Sequence, residues 1–196
     1  MNLFKILPTP FRRRLIRSLF AADGREHVIL PGIRWKIEIW EGPFDEDIPS
    51  AVLRADPKRY GRAIELGYNG VVNAGEDALI DGITGRATTA FNAANAYLGV
   101  GDSTTAYAET QTDLQASTNK LRKGMNATYP KNNGTAQTED WQADFGSSEA
   151  NFAWQEWALF NASSAGTMFS RKVESLGTKA SGSTWTLTAT MDFTGV

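Results

Sequence analysis

This chain predicts a mainly β fold: an antiparallel β-sandwich, jelly-roll-like, with one short helix and an N-terminal arm. Three observations carry that expectation. Trp185, Leu187, Ala189, Met191 and Phe193 alternate with Thr184, Thr186, Thr188, Thr190 and Asp192, a period of two in β-forming residues. Ile33, Trp35, Ile37 and Ile39 alternate in the same way with Arg34, Lys36, Glu38 and Trp40. From Leu121 onward, strand-like runs are separated by Gly, Asn and Ser turns, and no helix–strand alternation suggests a parallel sheet. The 18 glycines suit such a turn-rich chain.

The elements follow in order. Residues 1–30 read as an arm and residues 31–196 as the sandwich body. In the arm, Phe11, Leu15 and Leu19 fall at helical spacing with Ile16 and Phe20 alongside, and Arg12, Arg13 and Arg17 lie opposite. Pro8, Pro10 and the arginines interrupt any apolar core of a secretion signal. Residues 41–62 read as a polar, proline-bearing connection. A strand end and then a helix follow in NGVVNAGEDALIDGITG, with Asn73 as cap and Glu76 three residues on. Ala78, Leu79 and Ile83 form its apolar stripe, and Gly82 and Gly85 stop it. Ala96 to Val100 is a short strand running into GVGDST, which lacks the ending of a phosphate-binding loop and reads as a turn. Trp141, Ala143 and Phe145 share a strand face. MFSRKVESL is the penultimate strand, and KNNGT, NASSAGT and GTKASGS are turns.

Composition closes several routes to chemistry. The chain of 196 residues has no cysteine and a single histidine, His27. Thiolate sites and disulfide scaffolds are excluded, and a Ser-His-Asp triad would have to use His27. Glu41, Asp45, Glu46 and Asp47 cluster, but such clusters are ordinarily solvated loops, and no metal or other cofactor is expected. Asn126, Asn133 and Asn161 open Asn-X-Ser/Thr triplets, which matter only in a glycosylating route.

The stretch EANFAWQEWALFN, residues 149–161, raises the sharpest chemical question. As a strand it places Phe152, Trp154, Glu156, Ala158 and Phe160 on one face, and Ala153, Gln155, Trp157 and Leu159 on the other. Apolar residues on both faces predict a central strand covered on both sides. Glu156 then lies among apolar side chains and needs partners. It is either a catalytic acid or a structural acid tied to backbone amides or to Arg171 or Lys172. No second carboxylate is placed to complete an acid/base pair, so the structural role is expected and no catalytic residue is assigned. Trp154, Glu156, Trp185 and Leu187 are the expected structural core.

Charge is uneven. Residues 1–24 carry +4 and the remainder −6, in a chain of net charge −2. A basic, apolar arm on an acidic body predicts an arm that docks on a protein. Helices this short are marginal in water, so a packed contact is expected rather than a membrane or nucleic-acid tether. The expected contact residues are Phe4, Arg12, Arg13, Arg14, Leu15, Arg17 and Phe20.

Four ordered motifs carry a family resemblance: Asn69 to Gly75, Tyr97 to Thr105, Ala150 to Ala162, and the threonine-rich Thr184 to Phe193. Over about residues 66–196 the chain resembles a family of structural proteins of tailed bacteriophages. The resemblance implies a non-enzymatic virion component, assembled in the bacterial host cytoplasm. It implies other virion proteins as partners, either the major capsid protein or tail proteins, and a homo-oligomer. A capsid decoration or cement protein, that is a minor capsid protein, is the expectation. A fibre, collar or baseplate piece is the alternative within that class. A carbohydrate-binding module that stacks Trp40, Trp141 or Trp157 on a host-surface glycan is the alternative outside it.

Overall fold

Two four-stranded antiparallel sheets face each other in the computed structural model, which describes residues 33–40, 61–134 and 137–192. Strands β1 (Ile33–Trp40), β2 (Gly61–Asn69), β5 (Thr138–Phe145) and β8 (Thr184–Asp192) form one sheet in the order β2-β1-β8-β5. Strands β3 (Tyr97–Gly101), β4 (Lys120–Gly124), β6 (Ala153–Phe160) and β7 (Met168–Thr178) form the other, in the order β4-β3-β6-β7. A helix, α1 (Asn73–Thr84), joins β2 to β3. The chain is thus mainly β, as the alternating segments predict.

The core lies between the sheets and follows the period-two pattern. Ile33, Trp35 and Ile37 of β1 pack with Leu187 and Ala189 of β8 and Phe145 of β5. Leu98, Val100, Trp157 and Leu159 face them from the second sheet. Trp154 ties the layers together, with its ring centroid 4.9 Å from both Phe145 and Trp185 in edge-on geometry. Each such buried side chain stabilises by about 1.5–3 kcal/mol through removal of apolar surface from water.

The other face of β8 is buried too, although it is threonine. Its hydroxyls are satisfied across the register with β5. Thr186 Oγ1 donates to Asp144 Oδ1 at 2.6 Å, Thr190 Oγ1 donates to Asp140 Oδ1 at 2.7 Å, and Thr188 Oγ1 accepts from Gln142 Nε2 at 3.1 Å. Polar groups remain in the middle of the sheet because each has a partner.

Three local expectations change. Asn73 is the first residue of α1 and not its cap. The cap position is Val72, which offers no side-chain hydrogen bond, and the Asn73 amide instead donates to Glu109 O at 2.9 Å. Gly82 lies inside α1. Gly85 ends it alone, at φ 72°, with its amide bonded to Asp81 O. The connection assigned to 41–62 ends earlier, because β2 begins at Gly61 and pairs along all of β1. Its sequence, GRAIELGYN, has weak strand propensity, and pairing supplies what local preference does not.

Candidate functional site

Glu156 sits where a break in β6 separates it from Trp154. Trp154 pairs with Gly177 and Glu156 with Val173, so three residues of β7 oppose the single residue Gln155. This irregularity overturns the expected face assignment. Trp154 joins Trp157 and Leu159 in the inter-sheet core, while Ala158 and Phe160 pack in a second cluster with Val72, Leu114 and Met168.

Glu156 is fully buried against the segment that follows β3. Its Oε2 accepts from the Gln115 amide at 3.0 Å and from Arg171 Nε at 2.6 Å, and its Oε1 accepts from the Ala116 amide at 2.7 Å. Arg171, equally buried, also donates to Gln111 Oε1 and to Thr105 O, each at 2.9 Å. Gly101 lies opposite Glu156 in β3, and a Cβ there would come within 2.6 Å of Oε1. The glycine makes the space that the carboxylate fills. Backbone amides and a guanidinium consume the carboxylate, and together they staple residues 105–116 onto the second sheet. Both side chains are fully buried, and the hydrogen bonds of the carboxylate all come from within the chain.

The same segment is held a second time. Asp113 Oδ1 accepts from Arg122 Nη2 at 2.7 Å and from the Leu114 amide at 2.8 Å, and Lys120 Nζ approaches Oδ2 at 3.3 Å. Burial alone would raise the Asp113 pKa, but the hydrogen bonds from Arg122 and Leu114 and the Arg122 charge outweigh it and hold the carboxyl below its ordinary range. The Arg122 guanidinium also lies 3.5 Å from the Phe160 ring centroid.

An open site lies elsewhere. Helix α1 packs on β7 through Gly75, whose missing side chain lets the helix meet the Phe169 carbonyl. Phe91 stacks edge-on with Phe169 at 5.4 Å, and Trp141 Nε1 donates to Phe91 O at 2.8 Å. These contacts hold residues 88–92 away from α1 and leave a groove of about 480 Å³ between them and the ends of β5 and β8. Its walls are apolar, with Leu79 and Ile83 on one side and Phe91, Trp141 and Met191 on the other. That volume is in the range of built ligand sites, roughly 300–1,000 Å³. Ile83, part of the expected apolar stripe, is 79% exposed, and Ile80 is 47% exposed. Glu139 holds an inward position at the start of β5 and lines the groove. Burial, and then the neighbouring Asp140 charge, push its pKa up.

Of the expected site residues, Trp154, Trp185 and Leu187 lie in the core and Glu156 in the staple. Phe4, Arg12, Arg13, Arg14, Leu15, Arg17 and Phe20 lie outside the described residues, as do the acidic cluster at 41–47 and His27. Among the described residues no group of three metal-ligating side chains occurs, and no helix is long and apolar enough to cross a membrane. Trp157 is fully buried, so its ring is not free to stack on a sugar, whereas Trp141 is 6% exposed and lines the groove. Asn161 is buried, donating to Thr89 O and accepting from the Thr167 amide, which leaves no room for a glycan there.

Sequence reasoning missed two features. The groove was hidden because a helix with Ala78, Leu79, Ile80 and Ile83 looks like an ordinary amphipathic helix with a covered stripe. Lys179, in what reads as a turn, is fully buried and donates to Gly146 O at 2.7 Å and Asn151 Oδ1 at 2.8 Å. Comparison of the chain with protein-family models, with curated proteins and with solved structures finds no match.

Proposed function

We propose that this chain is a non-enzymatic structural component of a tailed-bacteriophage particle. In this reading it is a capsid decoration or cement protein that docks through its N-terminal arm. The observation that carries an assembling role is the groove, where Ile83 is 79% exposed beside an apolar cavity of about 480 Å³. Exposed apolar surface of this kind marks a protein contact or an aggregation hazard. The ordered resemblance over about residues 66–196 supports the phage particle as the setting. The Glu156 staple supports a non-enzymatic role, because the carboxylate best placed for catalysis is bound by two amides and a guanidinium. A fibre, collar or baseplate piece is the alternative position on the same particle. The carbohydrate-binding reading loses Trp157 as a stacking platform.

The test is rebinding. Purified chain is mixed with phage particles that lack it, and bound protein is measured by cosedimentation and located by electron cryomicroscopy. Saturable binding at a fixed ratio to the major capsid protein is expected. Binding to isolated tails alone would move the chain to the alternative position, and no binding to heads or tails would overturn the proposal.

A further inference from the structure

We propose that the groove between α1 and residues 88–92 is a binding site for a small organic ammonium ion. The walls hold its apolar body, and its charge lies against Glu139. The inference goes beyond the assembly reading and does not rest on it. The groove is apolar along Leu79, Ile83, Phe91, Trp141 and Met191, and Glu139 is the one charged side chain among the described residues that line it. The sheet builds this position. Glu139 pairs with Met191 across β5 and β8 and lies two residues before Trp141, so all three share one face of the sheet and reach the groove. The volume of about 480 Å³ suits a small-molecule ligand. Ile80 is exposed and outside the lining, so it stays available to a protein contact when the groove is filled.

Charge complementarity selects the ligand class. The neighbouring polar groups already have partners. The Thr89 carbonyl accepts from Asn161 Nδ2 at 2.9 Å and the Phe91 carbonyl from Trp141 Nε1 at 2.8 Å, while Asn92 Oδ1 accepts from the Ala94 and Asn95 amides. Asp140, the next residue of β5, accepts from Thr190 Oγ1 and Asn133 Nδ2. Lys131 bonds to Asp140 through its backbone and holds Nζ 4.5 Å from the Tyr129 ring centroid. The Glu139 carboxylate has no hydrogen bond or ion pair with a described residue. Burial and then the Asp140 charge push its pKa up, with no cation to offset them. An ammonium ion supplies the missing counter-charge and a charge-assisted donor. A neutral ligand with the same body gains the walls alone. An anionic one meets the charges of Glu139 and Asp140 and is disfavoured.

The probes are octylammonium, octanol and octanoate, which share an alkyl body and differ in charge. Each is titrated at neutral pH into the full-length chain labelled with ¹⁵N, and amide shifts are followed by NMR. Shifts are expected to cluster within residues 78–92 and 139–141. Octylammonium is expected to bind about fivefold or more tightly than octanol, with octanoate weakest, as a partly shielded ion pair allows. Glu139→Gln keeps the shape of the side chain. It is expected to bring octylammonium down to the affinity of octanol and to leave octanol unchanged. Absence of binding, shifts centred elsewhere, equal affinity for the three probes, or an ammonium preference that survives Glu139→Gln would overturn the inference. A second variant tests the place. Gly82 lines the groove and a Cβ there meets nothing within 4 Å, so Gly82→Trp sets a ring in the groove wall. It is expected to weaken octylammonium and octanol alike, in a chain whose amide spectrum shows it folded. Undiminished binding of both would contradict the groove as the site. These measurements use the isolated chain, so their failure leaves the particle proposal standing.

Discussion

Two glycines in one helix show how a single contact decides the effect of a substitution. Helix propensity favours Ala over Gly by about 0.8–1.0 kcal/mol in a helix interior. Gly82 is exposed and its Cβ position is open, so Gly82→Ala is expected to stabilise by about 0.5–1 kcal/mol. At Gly75 the new methyl would overlap the Phe169 carbonyl, which is backbone and cannot rotate away. Gly75→Ala is therefore expected to destabilise by more than the propensity gain, and urea unfolding of both variants checks the opposite signs. Trp185 is 5% exposed and packs on Trp154, so Trp185→Ala is expected to cost about 3–5 kcal/mol. A loss under about 1 kcal/mol in the same measurement would mean that this ring does not join the two sheets.

At the scale of elements, the stapling of residues 105–116 governs the outer face of the second sheet. Glu156→Gln keeps the shape but sets an amide against donors and removes the counter-charge at Arg171 Nε. Breaking a buried pair of this kind costs about 3–5 kcal/mol. A denaturation midpoint equal to wild type would show that the staple is not holding the segment. The Asp113 tie gives a pH signature. Its pKa is depressed in the folded state, so its stabilisation is complete above the ordinary Asp value and is lost as pH falls through the folded one. Asp113→Asn is expected to flatten the fall in melting temperature below about pH 4 and to change its slope little near neutrality. Much of this level was legible in the sequence. The alternation in β1 and β8 specified both strands and their inward faces, and the lone acid among aromatics in β6 implied a partner such as Arg171. The break at Gln155 was not legible. It depends on how many residues β7 inserts opposite, and strand periodicity carries no information about the partner strand. The groove was not legible either, since the uncovered state of Ile83 is fixed by where Gly75 and Phe91 dock, not by the spacing along α1.

For the whole molecule, a two-layered sandwich holds most of its buried polar side chains in hydrogen bonds, and the apolar, basic arm is read as a contact with a partner. The described residues hold polar side chains in staples and ladders and leave an apolar groove open. On the proposed function, the body is expected to keep its structure when attachment is lost. The most direct test is the copy number of the chain in purified phage particles, by quantitative mass spectrometry against the major capsid protein, with residues 2–20 deleted and with the full sequence. The account expects the full-length chain at a fixed stoichiometric ratio. It expects the truncated chain, soluble and expressed at the same level, to be reduced at least tenfold. Truncated protein present at the full ratio would contradict the arm's role in assembly, and absence of the full-length chain from the particles would contradict a structural role in the virion.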